Sequence, residues 1–380
     1  MANVYDCVVI GSGPAGGSAA WHLARRGFQV LVVEKQALPR YKPCGGGVSP
    51  SVAAWFDFDF TPAISAYVDS VRCTWEMGEV IDSPLNTSSP VWMVRRDVFD
   101  HFLVKQAVAR GAELRTETTV TAIARSGDRW KIETDAGPIE SRYLIGADGA
   151  KGRTAHWLGL DGRAGMRGGA IEVEIPAPVP DPRTVHLEFG LIRDGYLWNF
   201  PKAGSHSIGI GTVGQRQVDL KTPLARYVAH FGLSLDGIKQ HGHPLLLWGG
   251  PSKLHVDGAV LCGEAAAIVD PFTAEGIRPS LYTGMRAADA VAEALAGDTR
   301  ALARYTAHIK NENGSEMKWA KRLSQVFFAF PRLSYSVAVR RPGAAGTMGA
   351  ILAGTVSYKD VAKRAIRRLT GASVLAPATS

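Results

Sequence analysis

Six residues near the N-terminus, Gly11-Ser12-Gly13-Pro14-Ala15-Gly16, restrict the fold of this chain more than any other feature. They form a GxGxxG turn, and the flanking segments come in the order such a turn requires. Before it, residues 5–10 (YDCVVI) are a β-branched run of the kind found in buried parallel strands. After it, Pro14–Arg26 is alanine-rich, with Ala15, Ala19, Leu23 and Ala24 on one face, and predicts a helix. Residues 29–33 (QVLVV) predict the second strand of a βαβ unit, and Glu34 ends that strand 18 residues after Gly16. Each position has a physical reason. Gly11 permits the tight turn, Gly13 lets the backbone approach a pyrophosphate, and Gly16 lets the helix pack on the strand. The helix N-terminus then faces the pyrophosphate charge. Glu34 accepts hydrogen bonds from ribose hydroxyls and repels a 2′-phosphate. Ala15 and Lys35 belong to the same candidate dinucleotide site.

Further along, Val98–Arg110 predicts a helix, followed by strand-like segments around Leu114–Ala122, Trp130–Thr134 and Tyr143–Ile145. The last of these runs into Gly146-Ala147-Asp148-Gly149. From about 165 to 217 the pattern alternates and is rich in aromatics, which predicts antiparallel sheet. Residues 259–262 read as another buried strand and Arg278–Leu295 as a long helix. The expected fold is α/β: a Rossmann-type domain with an interleaved, mainly antiparallel β-sheet substrate domain and a helical C-terminal region. The first is discontinuous (1–70, 95–165 and 255–300), the second comprises 71–94 and 166–254, and the third is 301–380. A second GxGxxG, Gly209 to Gly214, lies inside a strand pattern and is read as sheet glycines rather than a nucleotide site.

The chain is formally +8, and residues 301–380 hold 13 Lys/Arg against 3 Asp/Glu. Such a block suits a membrane surface or an acidic partner protein; it carries no recognisable nucleic-acid module, so no nucleic acid is expected. In residues 358–369, Tyr358, Val361, Ala362, Ala365, Ile366 and Leu369 share one helical face, opposite Lys359, Lys363, Arg364, Arg367 and Arg368. That helix either lies on an anionic membrane or docks on the protein's own core. The uncharged run Gly343–Val356 is too short to span a bilayer. The four cysteines are widely spaced with no CxxC pair, so neither a metal site nor a disulfide framework is expected. The N-terminus enters a strand pattern at once, without a signal-peptide pattern. The expected location is cytoplasmic, with peripheral membrane contact.

Several segments carry a resemblance. Gly146-Ala147-Asp148-Gly149 and Cys262-Gly263-Glu264-Ala265-Ala266 resemble the later FAD fingerprints of the flavoprotein superfamily that includes aromatic hydroxylases. Arg96 resembles the arginine such enzymes place near the FAD phosphates. Pro39-Arg40-Tyr41-Lys42-Pro43-Cys44-Gly45-Gly46-Gly47 resembles the signature of geranylgeranyl reductases. So does Tyr196-Leu197-Trp198-Asn199-Phe200-Pro201, followed by Gly209-Ile210-Gly211. Residues 269–277 resemble that family's loop beside the flavin ring and add Pro271, Gly276 and Ile277 to the candidate site.

The resemblance implies a geranylgeranyl-reductase-like enzyme that binds FAD and saturates C=C bonds of a prenyl chain. The carrier would be a diphosphate, a lipid, a quinone or a tetrapyrrole ester, and the electron donor NADPH or reduced ferredoxin. An isolated alkene is unpolarised, so hydride from the reduced flavin N5 must arrive together with a proton in a dry site. Cys44, presented by three glycines, is the candidate for lining this site and supporting that proton delivery; the alternative is a small buried residue packing on the ring. Tyr196, Trp198 and Phe200 alternate and so share a face, either as a tunnel wall or as core. Pro201, Gly209 and Gly211 would let chain or ligand approach. Two positions depart from the family pattern: Glu264 stands where Asp is usual, and Ala274 where Gly is usual. The competing readings are a flavin-dependent monooxygenase or halogenase on the same fold, and a non-catalytic prenyl-lipid-binding flavoprotein.

Overall fold

The computed structural model describes residues 4–214, 218–340 and 343–370. Its centre is the βαβ unit. Strands Val4–Ile10 and Val30–Val33 pair in parallel, and the helix Pro14–Ala24 joins them. That helix is buried on every side, between helices Arg96–Ala109 and Ile277–Leu295, and this explains its small residues: neighbours close in on both flanks.

The βαβ unit belongs to an eight-stranded sheet. Its parallel part runs in the order Ala259–Leu261, Ile139–Gly146, Val4–Ile10, Val30–Val33, Glu113–Arg115. Strands His255–Val256, Arg129–Thr134 and Val120–Ser126 add antiparallel pairs. The run expected around Leu114–Ala122 is thus two elements: Glu113–Arg115 joins the parallel edge, and Val120–Ser126 turns into an antiparallel ladder. The helix expected from Val98 begins two residues earlier, at Arg96, which puts Arg96 and Asp100 one turn apart.

A seven-stranded sheet packs beside it, in the order His241–Trp248, Gly165–Pro176, Ser205–Val213, Gly195–Lys202, Thr184–Phe189, Ser70–Trp75, Glu79–Pro84. Every neighbouring pair is antiparallel except Thr184–Phe189 with Ser70–Trp75. The strands of residues 71–94 divide between sheets. Val91–Met93 pairs with Gly47–Val48 and Ala66–Val68 in a small third sheet that anchors the glycine-rich segment after Cys44.

The C-terminal region is helical: Ala301–Ala329, Pro331–Ala338, Ala344–Ala353 and Tyr358–Thr370. Among the described residues no helix is long and apolar enough to cross a membrane. In the last helix Tyr358 and Ala362 are buried and Val361 lines the central cavity, so this part of its apolar face is turned into the protein. The side chains of Ala365, Ile366, Arg368 and Leu369 lie outside the described residues.

Candidate active site

One cavity of about 1520 Å³ runs from the GxGxxG turn to the C-terminal helices. At its first end the turn is built from steric necessity. Gly11 has φ +101°, and a Cβ on Gly16 would lie 1.8 Å from the Gly11 carbonyl oxygen. The face of Gly13 opens toward the Arg40 and Arg96 guanidinium groups, each with a nitrogen 3.9 Å from where its Cβ would stand. Two cations and the N-terminus of Pro14–Ala24 therefore converge on one short stretch of backbone, which is what a pyrophosphate requires. Arg96 forks onto Asp100 at 2.7 and 2.8 Å, and Arg40 bridges Asp100 at 3.1 Å and Glu34 at 3.4 Å. Burial opposes the charge on Arg96, yet Asp100 and the Cys44 side chain outweigh it and hold the guanidinium firmly protonated.

Glu34 accepts from the Ser12 amide (3.1 Å) and hydroxyl (2.7 Å) and from the Gln36 amide (3.1 Å). Burial alone would raise its pKa; Arg40 and the Ser12 donors overcome this and bring it below the ordinary value. Asp148 uses one oxygen to accept from the Thr154 amide and hydroxyl, at 2.9 and 2.8 Å. Its other oxygen is buried at the cavity without a partner among the described residues, the condition of a group that awaits a ligand donor. Lys35 is exposed at the rim.

Midway along, the Pro39–Gly47 segment crosses the cavity. A Cβ on Gly45 would stand 2.8 Å from the Phe200 ring and 3.2 Å from Trp198 Nε1, so the glycine-rich segment and the aromatic strand meet there in direct contact. Lys202 reaches back and donates to the Gly45 carbonyl. Lys42, Arg96 and Lys202 all face the Cys44 side chain. Opposite, Glu264 accepts from the Leu246 amide at 3.3 Å and lies 3.5 Å from His243 and 3.9 Å from Lys42. Burial would raise its pKa, but His243, Lys42 and that amide pull it below the ordinary value.

The loop 269–277 is held by Asp270, which caps the Phe272 and Thr273 amides at 2.7 and 3.0 Å and takes the Tyr358 hydroxyl at 2.6 Å. Tyr196 donates to the Thr273 carbonyl at 2.7 Å. Gly276 and Ile277 bring the N-terminus of Ile277–Leu295 to the cavity. Ala274, the departure from Gly, has φ +54°, a left-handed conformation that glycine adopts without steric cost.

Cross-strand register sets the chemistry of the walls. His241, Glu172, Gly209, Trp198, Leu187, Cys73 and Ile81 stand opposite one another across the seven-stranded sheet. All but Gly209 line the cavity, so it passes from polar to apolar along one row. Gly209 is covered by the Trp198 ring: a Cβ there would lie 2.0 Å from Cζ2. The second GxGxxG is accordingly a seat for an indole. Tyr196, Trp198 and Phe200 follow one another with ring centroids 6.1 and 6.4 Å apart. Trp198 Nε1 is buried without a hydrogen-bond partner among the described residues. Beyond them the arm is apolar, and Phe327 closes it against Phe189 and Phe272.

Of the candidate residues, Gly11, Gly13, Ala15, Glu34, Lys35, Cys44, Gly45, Arg96, Asp148, Glu264, Gly276, Ile277, Tyr196, Trp198, Phe200 and Gly211 line this one cavity. Gly16, Gly209 and Gly263 stand behind its wall, where a Cβ would strike Gly11, Trp198 and Ala15; Pro201 and Pro271 are not among its lining residues. The residues that sequence reasoning passed over are Arg40, Asp100, Glu172, Lys202, Asp270 and Tyr358. Arg40 and Asp270 lay within segments read for other residues and Tyr358 on a helical face, while Glu172 sits in an alternating strand pattern that gives no sign of it.

A βαβ cradle with two converging guanidinium groups, continuous with a long apolar arm, defines a dinucleotide-binding protein with an apolar cavity beside the cofactor site. The comparisons agree. The FAD-dependent oxidoreductase family profile matches residues 6–49, and the FAD-binding domain profile matches residues 60–193. The geranylgeranyl diphosphate reductase of Rhodobacter capsulatus is 30% identical over 85% of this chain and 84% of its own length. A digeranylgeranylglycerophospholipid reductase of Methanosphaera stadtmanae is 27% identical over 82% and 84%. The chain belongs to the geranylgeranyl reductase family of FAD-dependent oxidoreductases. Its fold is that of a geranylgeranyl bacteriochlorophyll reductase-like protein from Thermoplasma acidophilum (TM-score 0.80, 22% identity, 96% of this chain and 99% of that one). A flavin-dependent brominase shares the fold at TM-score 0.73 and 19% identity, covering 96% of this chain and all of the other.

Proposed function

We propose that this protein reduces C=C bonds in a geranylgeranyl or related prenyl chain, using bound FAD. The observation that carries the reading is the single cavity in which a dinucleotide cradle opens, past the Cys44 segment, into an apolar arm. Gly11 to Gly16, Arg40 and Arg96 would hold the pyrophosphate, Glu34 the adenosine ribose, and Asp148 and Glu264 the ribityl side. Reduced FAD, when bound, supplies hydride. The chain's own residues do the rest. The aromatic row and the arm exclude water and align the alkene, and burial of the long prenyl tail stabilises that alignment. Cys44 supplies the proton for the second alkene carbon, with Lys42, Arg96 and Lys202 facing its side chain. The N-terminal dipole of Ile277–Leu295 favours negative charge beside it.

The prenyl carrier, and NADPH or reduced ferredoxin as donor, belong to the same proposal. So does contact with an anionic membrane, with one change of location. The described apolar residues of the last helix face inward, whereas Val326, Phe330, Leu333 and Val337 are exposed at the cavity's far end, Phe330 and Leu333 by 64% each. Val326, Leu333 and Val337 also line the cavity, so a membrane-borne chain would pass from lipid into the arm without crossing water.

The test is anaerobic. The FAD-loaded protein is reduced with dithionite, mixed with geranylgeranyl diphosphate, and its products are weighed. Flavin reoxidation with a gain of two hydrogens per bond supports the reading. Flavin that stays reduced with every prenyl carrier, yet turns over with oxygen, would replace it by monooxygenase or halogenase chemistry.

A further inference from the structure

We infer that a second cavity, behind Cys44, is a proton inlet, and that Glu172 takes protons from it and passes them to Cys44. The inference rests on the reading that Cys44 protonates the alkene. The second cavity measures about 360 Å³ and shares one wall with the first: Tyr41, Lys42, Cys44, Arg96, Glu172 and His241 line both. The far side of that wall is ionisable where the prenyl arm is apolar. Arg95, Asp97, Glu174, Lys202 and Lys239 line it, and exposed Arg95, Gly237 and Lys239 form its rim toward solvent.

Chemistry makes such an inlet necessary. Each saturation consumes one hydride and one proton. A prenyl chain in place fills the apolar arm, so a proton for the next round must arrive from elsewhere. Glu172 is 3% exposed, accepts from the Tyr41 hydroxyl at 3.1 Å, and accepts from the Cys44 backbone amide, which brings its carboxyl to the Cys44 segment. The titratable groups around it come from every neighbouring element. Glu174 lies on its own strand, Tyr41 and Cys44 on the crossing segment, Lys202 on Gly195–Lys202 and His241 opposite on His241–Trp248, while Ser205–Val213 presents only Gly209. Burial, with Glu174 adding, lifts the Glu172 pKa to about 7 against the pull of the Cys44 amide, Lys202 and Tyr41. A carboxyl that titrates there both gives and regains a proton readily at neutral pH.

The balance is simple. The Cys44 S–H bond breaks as the alkene C–H bond forms. The Glu172 O–H proton then restores the thiol, and the Glu172 carboxylate takes its proton from solvent water entering the second cavity.

The experiment uses the FAD-loaded full chain and its Glu172→Gln and Glu172→Asp variants, with geranylgeranyl diphosphate as probe. Gln keeps an acceptor for Tyr41 and for the Cys44 amide, and flavin content and melting check that the fold is kept. In the Gln variant the first bond should be the least affected, because the relay through Glu172 is called on only after it. Later bonds should slow by roughly 10²-fold and lose their dependence on pH, and Asp should restore part of the rate. Equal loss in first and later bonds, or no loss, overturns the inference. Difference infrared spectroscopy of the oxidised protein, wild type against Glu172→Gln, reads the carboxyl without turnover. It should show a protonated carboxyl with a midpoint near neutral pH, and a carboxylate ionised throughout overturns the inference. A wild type that reduces no prenyl substrate overturns the proposed function instead, and the infrared measurement then decides whether Glu172 holds a proton.

Discussion

Gly209→Ala is the sharpest test of how the substrate wall is built. Residue 209 stands between Glu172 and Trp198 in the sheet register, and the Trp198 ring lies over its Cα. The new methyl would fall 2.0, 2.4 and 2.6 Å from three ring carbons. Ordinary contact needs about 3.5 Å, so the ring must move by well over an ångström. It cannot move freely, because Phe200 and Tyr196 flank it and Gly45 packs against its edge. Overpacking of this kind costs about 1–3 kcal/mol. Trp198→Leu should cost a similar amount alone, from the cavity it leaves. Combining the two should cost less than their sum, because the shortened side chain removes the clash; a coupling of at least ~1 kcal/mol is expected. Denaturant melts of the wild type, both single variants and the double variant measure it. FAD content should stay at the wild-type level in all four, since the dinucleotide cradle lies on the other sheet. The pattern of bonds reduced along the prenyl chain should shift. Strict additivity, or a Gly209→Ala protein with wild-type stability, would refute the claim that the glycine exists to seat the indole.

Three further outcomes follow from the same geometry. Arg96→Met removes the forked partner of fully buried Asp100 and should cost about 3–5 kcal/mol, giving protein that purifies without flavin colour; yellow protein with a native melt contradicts it. Glu172 and Glu275 both have pKa values lifted by burial to about 7, so the folded state holds protons that the unfolded chain has already released. Their contribution is present below about pH 4.5 and lost as pH rises through about 7, by roughly 1–3 kcal/mol each after allowance for relaxation. Gln at either position should flatten that part of the pH–stability curve, as melts at acidic and alkaline pH would show. Phe330→Asp together with Leu333→Asp should weaken sedimentation with anionic vesicles by at least ~10-fold, given about 1–2 kcal/mol for each buried apolar side chain; unchanged sedimentation refutes docking by that face.

Much of the dinucleotide half was legible because its constraints are local. Gly11, Gly16 and Glu34 sit at fixed spacing; Gly16 and Glu34 are demanded by contacts within the same βαβ unit, and Gly11 by its own left-handed φ of +101°. Arg96 was legible only by resemblance, since the reason for it, Asp100 one turn on, depends on a helix that starts two residues before its hydrophobic pattern does. The apolar face of residues 358–369 was visible too, but periodicity states that a face exists and not what covers it. The structure covers its first turn with Asp270 and the cavity. This connection joins residues 88 apart, which no window of sequence contains.

Glu172 illustrates the same point from the opposite direction. In sequence it is one acidic residue in Ile171-Glu172-Val173-Glu174-Ile175, an alternation that reads as an ordinary strand with a wet face. Its environment comes instead from neighbours brought in from far along the chain: His241 on one side, Gly209 with the Trp198 ring over it on the other, and the Tyr41–Cys44 segment above. The glycine that seats the indole therefore also lets the apolar wall end directly beside a carboxyl. A bulkier residue at 209 would separate the two. The same register thus sets both the dryness of the arm and the closeness of its proton source, so variants on this row should change selectivity and pH dependence together.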